Sequence, residues 1–285
     1  MIRSYVTGFT ITADAIVDLQ THTHLSDGKW SPEALVDYFL QGAFATAAIT
    51  DHDRVDTMAG IQRIAQDRGF PLLVAAEMTT RWHDSIVDIL TFGFENNLSP
   101  LEELCDRIYQ KQSAISRQVY DHLVKHGYIP RDDETEIAAI LAATTSNQTN
   151  LLVDLFLKHN PGTQDFSPLR EAGYTLCTNP TEAVVEAVHQ SGGVALIAHP
   201  GRTDGFATFN AALLDQFRAE IPIDGIEAYY PRHTPEQVAL YKHYADQHQW
   251  LISAGSDSHG PDRPPIKYRA SQCAALLARL DIQVI

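Results

Sequence analysis

Short apolar runs in this chain repeatedly end in, or carry, an imidazole or a carboxylate. The densest case is Val17-Asp18-Leu19-Gln20-Thr21-His22-Thr23-His24-Leu25-Ser26-Asp27-Gly28. Strand residues two apart share a face, so Gln20, His22 and, if the strand persists, His24 project together, with Asp27 in the following turn. The pattern recurs at Thr50-Asp51-His52-Asp53, at Glu77, at Asp88 within Ile86-Val87-Asp88-Ile89-Leu90, at Ala198-His199-Pro200 and at Gly255-Ser256-Asp257-Ser258-His259. In parallel α/β folds function gathers at the carboxyl ends of strands. A chain patterned this way is constrained to a fold that brings many strand ends to one rim.

The intervening segments agree. Strands are expected near residues 15–19, 45–50, 71–77, 86–94, 193–198, 225–229 and 250–254. Helices are expected from Ser31-Pro32-Glu33, with serine as N-cap and proline at the first position, and near 57–67, 181–191, 209–219 and 235–248. This alternation predicts a mainly parallel sheet closed as a barrel at this length. Residues 1–98 and 180–285 form that barrel. Residues 99–179 are helix-rich and polar and read as an inserted helical cap, with Thr144 to Asn150 as an N-cap region or a mobile loop.

Bulk properties narrow the partners. A net charge of −15 over 285 residues opposes binding of long nucleic acid, which needs a basic surface. A small phosphorylated ligand stays compatible, because metal ions would invert the field locally. The sequence has no apolar run of membrane-spanning length and no signal-peptide core near Met1, so a cytoplasmic protein is expected. Cys105, Cys177 and Cys273 are isolated and fit no disulfide framework, in keeping with a reducing compartment. Oligomeric state is not legible.

A lone strand-end His or Asp is usually a cap or turn residue. Asp88 is harder to read that way, because a carboxylate inside an apolar strand needs a metal or a cation. Imidazole and carboxylate together suit divalent transition metals. Ions bridged by shared carboxylates would hold this many charges together.

These motifs resemble the PHP (polymerase and histidinol phosphatase) domain family. The resemblance rests on Asp18-Leu19-Gln20-Thr21-His22 with Ser26-Asp27-Gly28, Ile49-Thr50-Asp51-His52-Asp53, Glu77, Ala198-His199-Pro200 and Gly255-Ser256-Asp257-Ser258-His259. It implies a distorted seven-stranded (β/α) barrel with an inserted helical subdomain. It also implies two or three divalent metal ions (manganese, iron or zinc), held by Gln20, His22, Asp27, His52, Glu77, Asp88, His199, Asp257 and His259. Two positions depart from the family pattern: Gln20 and Asp88 stand where it usually has histidine. His24 is an extra histidine placed to fill the first vacancy.

The activity so implied is metal-dependent hydrolysis of a small phosphate ester, a nucleotide or short oligonucleotide, by a metal-activated hydroxide. Arg202 and Arg232 are candidate phosphate clamps, since guanidinium pairs with phosphate in a bidentate way. Trp82 and Tyr229 are candidate base-stacking residues. His24 and His233 are candidates to protonate the leaving group. Two alternatives stand beside this reading: an amidohydrolase-like C–N hydrolase, and a non-catalytic metal-stabilised binding module.

Overall fold

The computed structural model describes residues 8–95, 99–131 and 135–285. The chain divides into two compact units, Met1–Leu104 with Asn179–Ile285, and Cys105–Thr178.

The first unit is α/β with mixed sheets. Its strands up to the insertion are β1 (Phe9–Ile11), β2 (Ile16–Asp18), β3 (Phe44–Ala48), β4 (Leu72–Leu73), β5 (Ala75–Trp82) and β6 (Ser85–Phe92). After it come β7 (Asn179–Pro180), β8 (Val194–Ile197), β9 (Gly225–Tyr229), β10 (Leu251–Ala254), β11 (Tyr268–Arg269) and β12 (Ile282–Val284). One sheet runs β10-β9-β8-β6-β5-β7, another β11-β2-β3-β4, and β1 pairs with β12. Helices α1 (Pro32–Gln41) and α2 (Met58–Asp67) connect strands in the first half. The Ser31 side chain accepts from the Ala34 amide at the start of α1, as the Ser-Pro-Glu motif predicts.

The sheets are less parallel than the alternation suggests. β5 and β6 form an antiparallel hairpin that pairs Trp82 with Ser85, and β6 runs antiparallel to β8. Two residues, His83 and Asp84, make the turn, and His83 takes the left-handed conformation that such turns demand (φ 52°). The third strand therefore does not stop at Glu77, which lies inside an eight-residue strand.

Two seams join the large sheets, and each involves a segment just past a strand end. At one, the Leu19 amide donates to Ala254 O, Asp257 to Gln20 O and His22 to Ser258 O. At the other, His52 bridges Glu77 in parallel fashion, and the Asp53 amide donates to Glu77 O. The ligand-type residues thus lie where the sheets are stitched. Beneath them Leu19, Ala48, Ala75, Leu90 and Leu196 share one apolar cluster with Leu276, Leu277 and Ile282 of the C-terminal segment. Strands of both sheets enclose a single core.

The remaining helices of this unit are α7 (Thr181–Gln190), α8 (Ala211–Glu220), α9 (Pro235–His248) and α10 (Ala274–Arg279). The second unit is helical: most of α3 (Pro100–Lys125), then α4 (Thr135–Ala142), α5 (Thr145–His159) and α6 (Ser167–Glu171). Val119, Leu123, Ile137, Leu152 and Phe156 form its own core. The Thr144 to Asn150 run belongs to α5, with Thr144 at the N-cap position. Among the described residues no helix is long and apolar enough to cross a membrane.

Candidate metal centre

His22, fully buried, follows β2 at the first seam. The loop after it turns sharply, and Gly28 is required there, because a Cβ would meet His22 O at 2.6 Å. Asp51 locks the same loop by accepting from the Thr23 amide (2.7 Å), the Thr23 hydroxyl (2.7 Å) and the Ser26 hydroxyl (2.5 Å).

Around His22 the ligand-type side chains converge. Its Nε2 lies 3.1 Å from Glu77 Oε2 and 3.2 Å from Asp257 Oδ1. Its ring is stacked against those of His52 and His259, at centroid distances of 4.7 and 4.2 Å. Asp27 Oδ2 lies 3.2 Å from His259 Nε2 and 3.9 Å from His52 Nε2. Across Glu77, His199 Nε2 is 2.8 Å from Glu77 Oε1 and 3.7 Å from Asp88 Oδ2. Three overlapping groups each offer ligand atoms within 4.8 Å of one another: His22, Asp27, His52 and His259; His22, Glu77 and Asp257; His52, Glu77 and Asp88.

The donor atoms fit metal ions better than they fit one another. Both His22 nitrogens and Asp88 Oδ1 are buried without an aligned hydrogen bond, although carboxylate oxygens lie close to His22 Nε2. Burying a polar atom so costs roughly 1–3 kcal/mol. Burial lowers the basicity of His22, but Asp257 and Glu77 outweigh it and hold its pKa well above the usual value. Burial works to raise Glu77 too, yet His52, His199 and His22 keep it well below the carboxylate range. Asp88 is pushed well up, by burial and then by the charge of Glu77.

Three residues of this region hold left-handed backbone: Asp53 (φ 50°), His199 (φ 27°) and Asp257 (φ 55°). Such strain costs on the order of 1–3 kcal/mol per residue and clusters at functional sites. Each strained amide is captured: Asp53 by Glu77 O, Asp257 by Gln20 O, and His199 by Glu227 Oε2.

Of the other expected site residues, only Gln20 touches these groups with its side chain among the described contacts. Gln20 lies at the centre, but its Nε2 donates to Glu77 Oε2 at 2.8 Å, a contact its nitrogen and not its oxygen makes. His24 is exposed, with Nδ1 3.1 Å from Trp30 O, and joins none of the three groups. The strand does not persist that far; the chain turns at Thr23 and carries His24 outward. Trp82 is not a stacking residue at a mouth: it is buried in β5, its Nε1 donates to Glu220 at 2.7 Å, and Phe217 packs edge-on against it. Tyr229 faces Lys242, while its neighbour Tyr230 donates its hydroxyl to Asp257 Oδ2 at 3.3 Å. The shift in the β9–β10 register, which pairs Ala254 with Tyr229, accompanies that exchange.

His233 is unsuited to proton donation. Its Nε2 accepts from the Gly201 amide and its Nδ1 donates to Ala228 O, each at 3.1 Å. Burial lowers its pKa to about 4. Arg202 forks onto Asp204 (2.8 and 2.9 Å) and lies 4.0 Å over the Phe206 ring. Arg232 approaches the same Asp204 at 3.6 Å.

Further carboxylates support this region through the backbone. Asp18, the last residue of β2, accepts from the Ser256 and Ile266 amides at 2.9 and 2.8 Å, and burial raises its pKa to about 7. Asp53 accepts from Thr79, and Glu227 from His199. Glu227, like Asp88, is a buried carboxylate inside an apolar strand, and Asp18 is a buried carboxylate that ends one.

No family model matches the chain. It is 27% identical over 260 residues to the 5'-3' exoribonuclease Rnm of Salmonella typhimurium, covering 86% of each. It is 28% identical over 261 residues to the 3',5'-nucleoside bisphosphate phosphatase of Chromobacterium violaceum, covering 87% of this chain and 88% of that one. A third relative, the phosphoribosyl 1,2-cyclic phosphate 1,2-diphosphodiesterase of Eggerthella lenta, is 27% identical over 256 residues, covering 86% and 94%. All three are hydrolytic phosphoesterases, and the likeness spans most of the chain. Among solved structures, an amidohydrolase from Chromobacterium violaceum superposes with a TM-score of 0.69 at 23% identity, covering 88% and 90% of the two chains. A protein from Bifidobacterium adolescentis, named as an inferred metal-dependent phosphoesterase, gives 0.69 at 21% identity over 92% and 96%. These two establish the likeness of fold.

Proposed function

We propose that this protein is a metal-dependent phosphoesterase of the PHP type, acting on a small nucleotide-like phosphate ester. The observation that carries this is the convergence of His22, His52, His199 and His259 with Asp27, Glu77, Asp88 and Asp257 in overlapping groups. Four carboxylates packed this closely need cations beside them. We read the two stitched sheets as the distorted barrel, and the 105–178 unit as its insertion.

His22, Asp27, His52 and His259 would hold one ion. Glu77, shared by the two other groups, would bridge toward Asp88 with His199 and toward Asp257. Divalent ions bound there would lower the pKa of a water and offset charge on a phosphoryl group. The chain's own residues supply the rest. Arg202, whose positive charge acts on Asp88, would offer its planar fork to phosphate by exchanging it for Asp204. The Tyr230 hydroxyl, kept protonated by burial, is a donor beside Asp257. Buried free thiols at Cys105, Cys177 and Cys273 agree with a reducing compartment.

Elemental analysis of the purified protein, with a metal-supplemented screen of nucleoside bisphosphates, cyclic phosphates and 5'-phosphorylated oligonucleotides, tests the reading. Bound transition metal and metal-dependent phosphate or nucleotide release are expected. Ammonia release without phosphate release, or tight ligand binding without turnover under any metal, overturns it. Cleavage of short oligonucleotides alone would shift the substrate toward the activity of the exoribonuclease relative.

A further inference from the structure

Glu227 stands out among the groups that support the centre. The strained amides of Asp53 and Asp257 are held by main-chain carbonyls, whereas that of His199 is held by a side chain, Glu227 Oε2, at 3.0 Å. Glu227 comes from the middle of β9, is fully buried, and belongs to none of the three ligand groups. Its other oxygen occupies space that a side chain at residue 255 would fill. A Cβ on Gly255 would fall 2.5 Å from Glu227 Oε1 and 2.4 Å from the Cβ of Gln20.

We propose that Glu227 is the positioning residue of His199: lodged in the slot left by Gly255, its carboxyl holds the left-handed turn that aims the His199 imidazole at Glu77 and Asp88. His199 has little freedom once its amide is held, because the next residue is Pro200 and the Ala198 amide is tied to Asp88 O. Without the acceptor the turn relaxes toward ordinary backbone, and Nε2 leaves Glu77 and Asp88. The consequence for metal binding rests on the metal-centre reading; the turn itself does not.

The test uses the full-length protein and three variants, Glu227→Gln, Glu227→Leu and Gly255→Ala. Glutamine keeps an acceptor of the same shape, leucine removes it, and the Gly255→Ala methyl displaces it. Hydrogen exchange at the His199 amide is measured on metal-stripped protein. It should quicken at least about tenfold in Glu227→Leu and Gly255→Ala and stay within about threefold of wild type in Glu227→Gln. Calorimetric titration with Mn2+ should then show one class of site weakened roughly 10- to 100-fold in the first two, with the others unchanged. Unchanged exchange in both Glu227→Leu and Gly255→Ala overturns the proposal. So does equal damage from Glu227→Gln, or equal weakening of every ion. If Glu227→Leu does not fold, exchange at the His199 amide in Gly255→Ala against Glu227→Gln decides the matter, and metal affinity does not, because the same methyl crowds Gln20, which holds Glu77. A wild-type protein that takes up no Mn2+ would overturn the metal centre and leave the turn to be judged by exchange.

Discussion

At the position of Gln20 an amide stands among imidazoles, and its orientation is set by its neighbour. The nitrogen donates to Glu77 Oε2, so the amide orients a ligand, while its buried carbonyl oxygen has no hydrogen-bond partner. Gln20→Ala is therefore expected to keep the number of bound ions and to weaken binding by about tenfold, the low end for losing such a support. Gln20→His should tighten binding, and His24→Ala should change neither number nor affinity, since His24 lies outside the cluster. Metal titration of the three side by side checks this; loss of an ion in His24→Ala would contradict the geometry. His233 offers a pH signature instead. Burial takes its pKa from 6.5 to about 4, so the folded state favours the neutral ring. The unfolded chain binds that proton first as pH falls, and stability drops between pH 6.5 and 4, by on the order of 3 kcal/mol. Urea unfolding at pH 7 and pH 4.5 should show a smaller drop for His233→Leu than for wild type. The ligand-type residues were legible because alternation and strand-end position announce them. The roles of Glu227, inside its strand, and of Asp18, at the end of its strand, were not, because each acts on the backbone of a residue far away in sequence.

At the scale of elements, strand pairing at close quarters carries the plainest consequence. Gly225 opens β9, and a Cβ there would meet Leu251 O of β10 at 2.2 Å. Leu251 and Gly225 are register partners, so the clash falls on the ladder itself. Gly60 lies exposed within α2 with nothing within 4 Å of a would-be Cβ. Gly225→Ala should destabilise by about 1–3 kcal/mol or more through overpacking. Gly60→Ala should stabilise by roughly 0.5–1 kcal/mol, since alanine loses less entropy in a helix. Thermal melts of the two variants should move in opposite directions. Helix periodicity was legible almost to the residue: α9 occupies 235–248 as its pattern implies. The β5–β6 hairpin was not, because its turn, His83-Asp84, lacks the glycine or asparagine that usually marks one, and Arg81-Trp82-His83 reads as loop. The short pairings of β1 with β12 and β11 with β2 also escaped, since runs of two or three residues carry no period.

For the whole molecule, the alternation of strands and helices was enough to announce an α/β fold with one loaded rim, but not how its sheets join. The joins consist of single bridges and lone amide bonds past the strand ends, formed by the same residues that make the centre. The centre and the joins between the sheets share residues, so occupancy of the centre should be felt by the whole first unit. Ions that bind only the folded state stabilise it by about 2.7 kcal/mol when present at 100 times their dissociation constant. Saturating Mn2+ should raise the melting temperature of the metal-stripped protein, and a chelator should reverse the rise. The size of the effect must depend on pH. In the metal-free protein Asp257 and Glu77 hold the His22 pKa well above 6.5, so that proton contributes stability which is full below 6.5 and lost as pH rises through the raised value. An ion must displace the same proton. Glu77 and Asp27, whose pKa values the histidines depress, stay ionised throughout this window and do not oppose the trend. Raising the pH from 6 to 8 therefore weakens the metal-free state and strengthens metal binding, and the Mn2+-induced rise in melting temperature should be larger at pH 8. A rise of equal size at both values would mean that the ion does not compete with the proton on His22, and that it binds somewhere other than this centre.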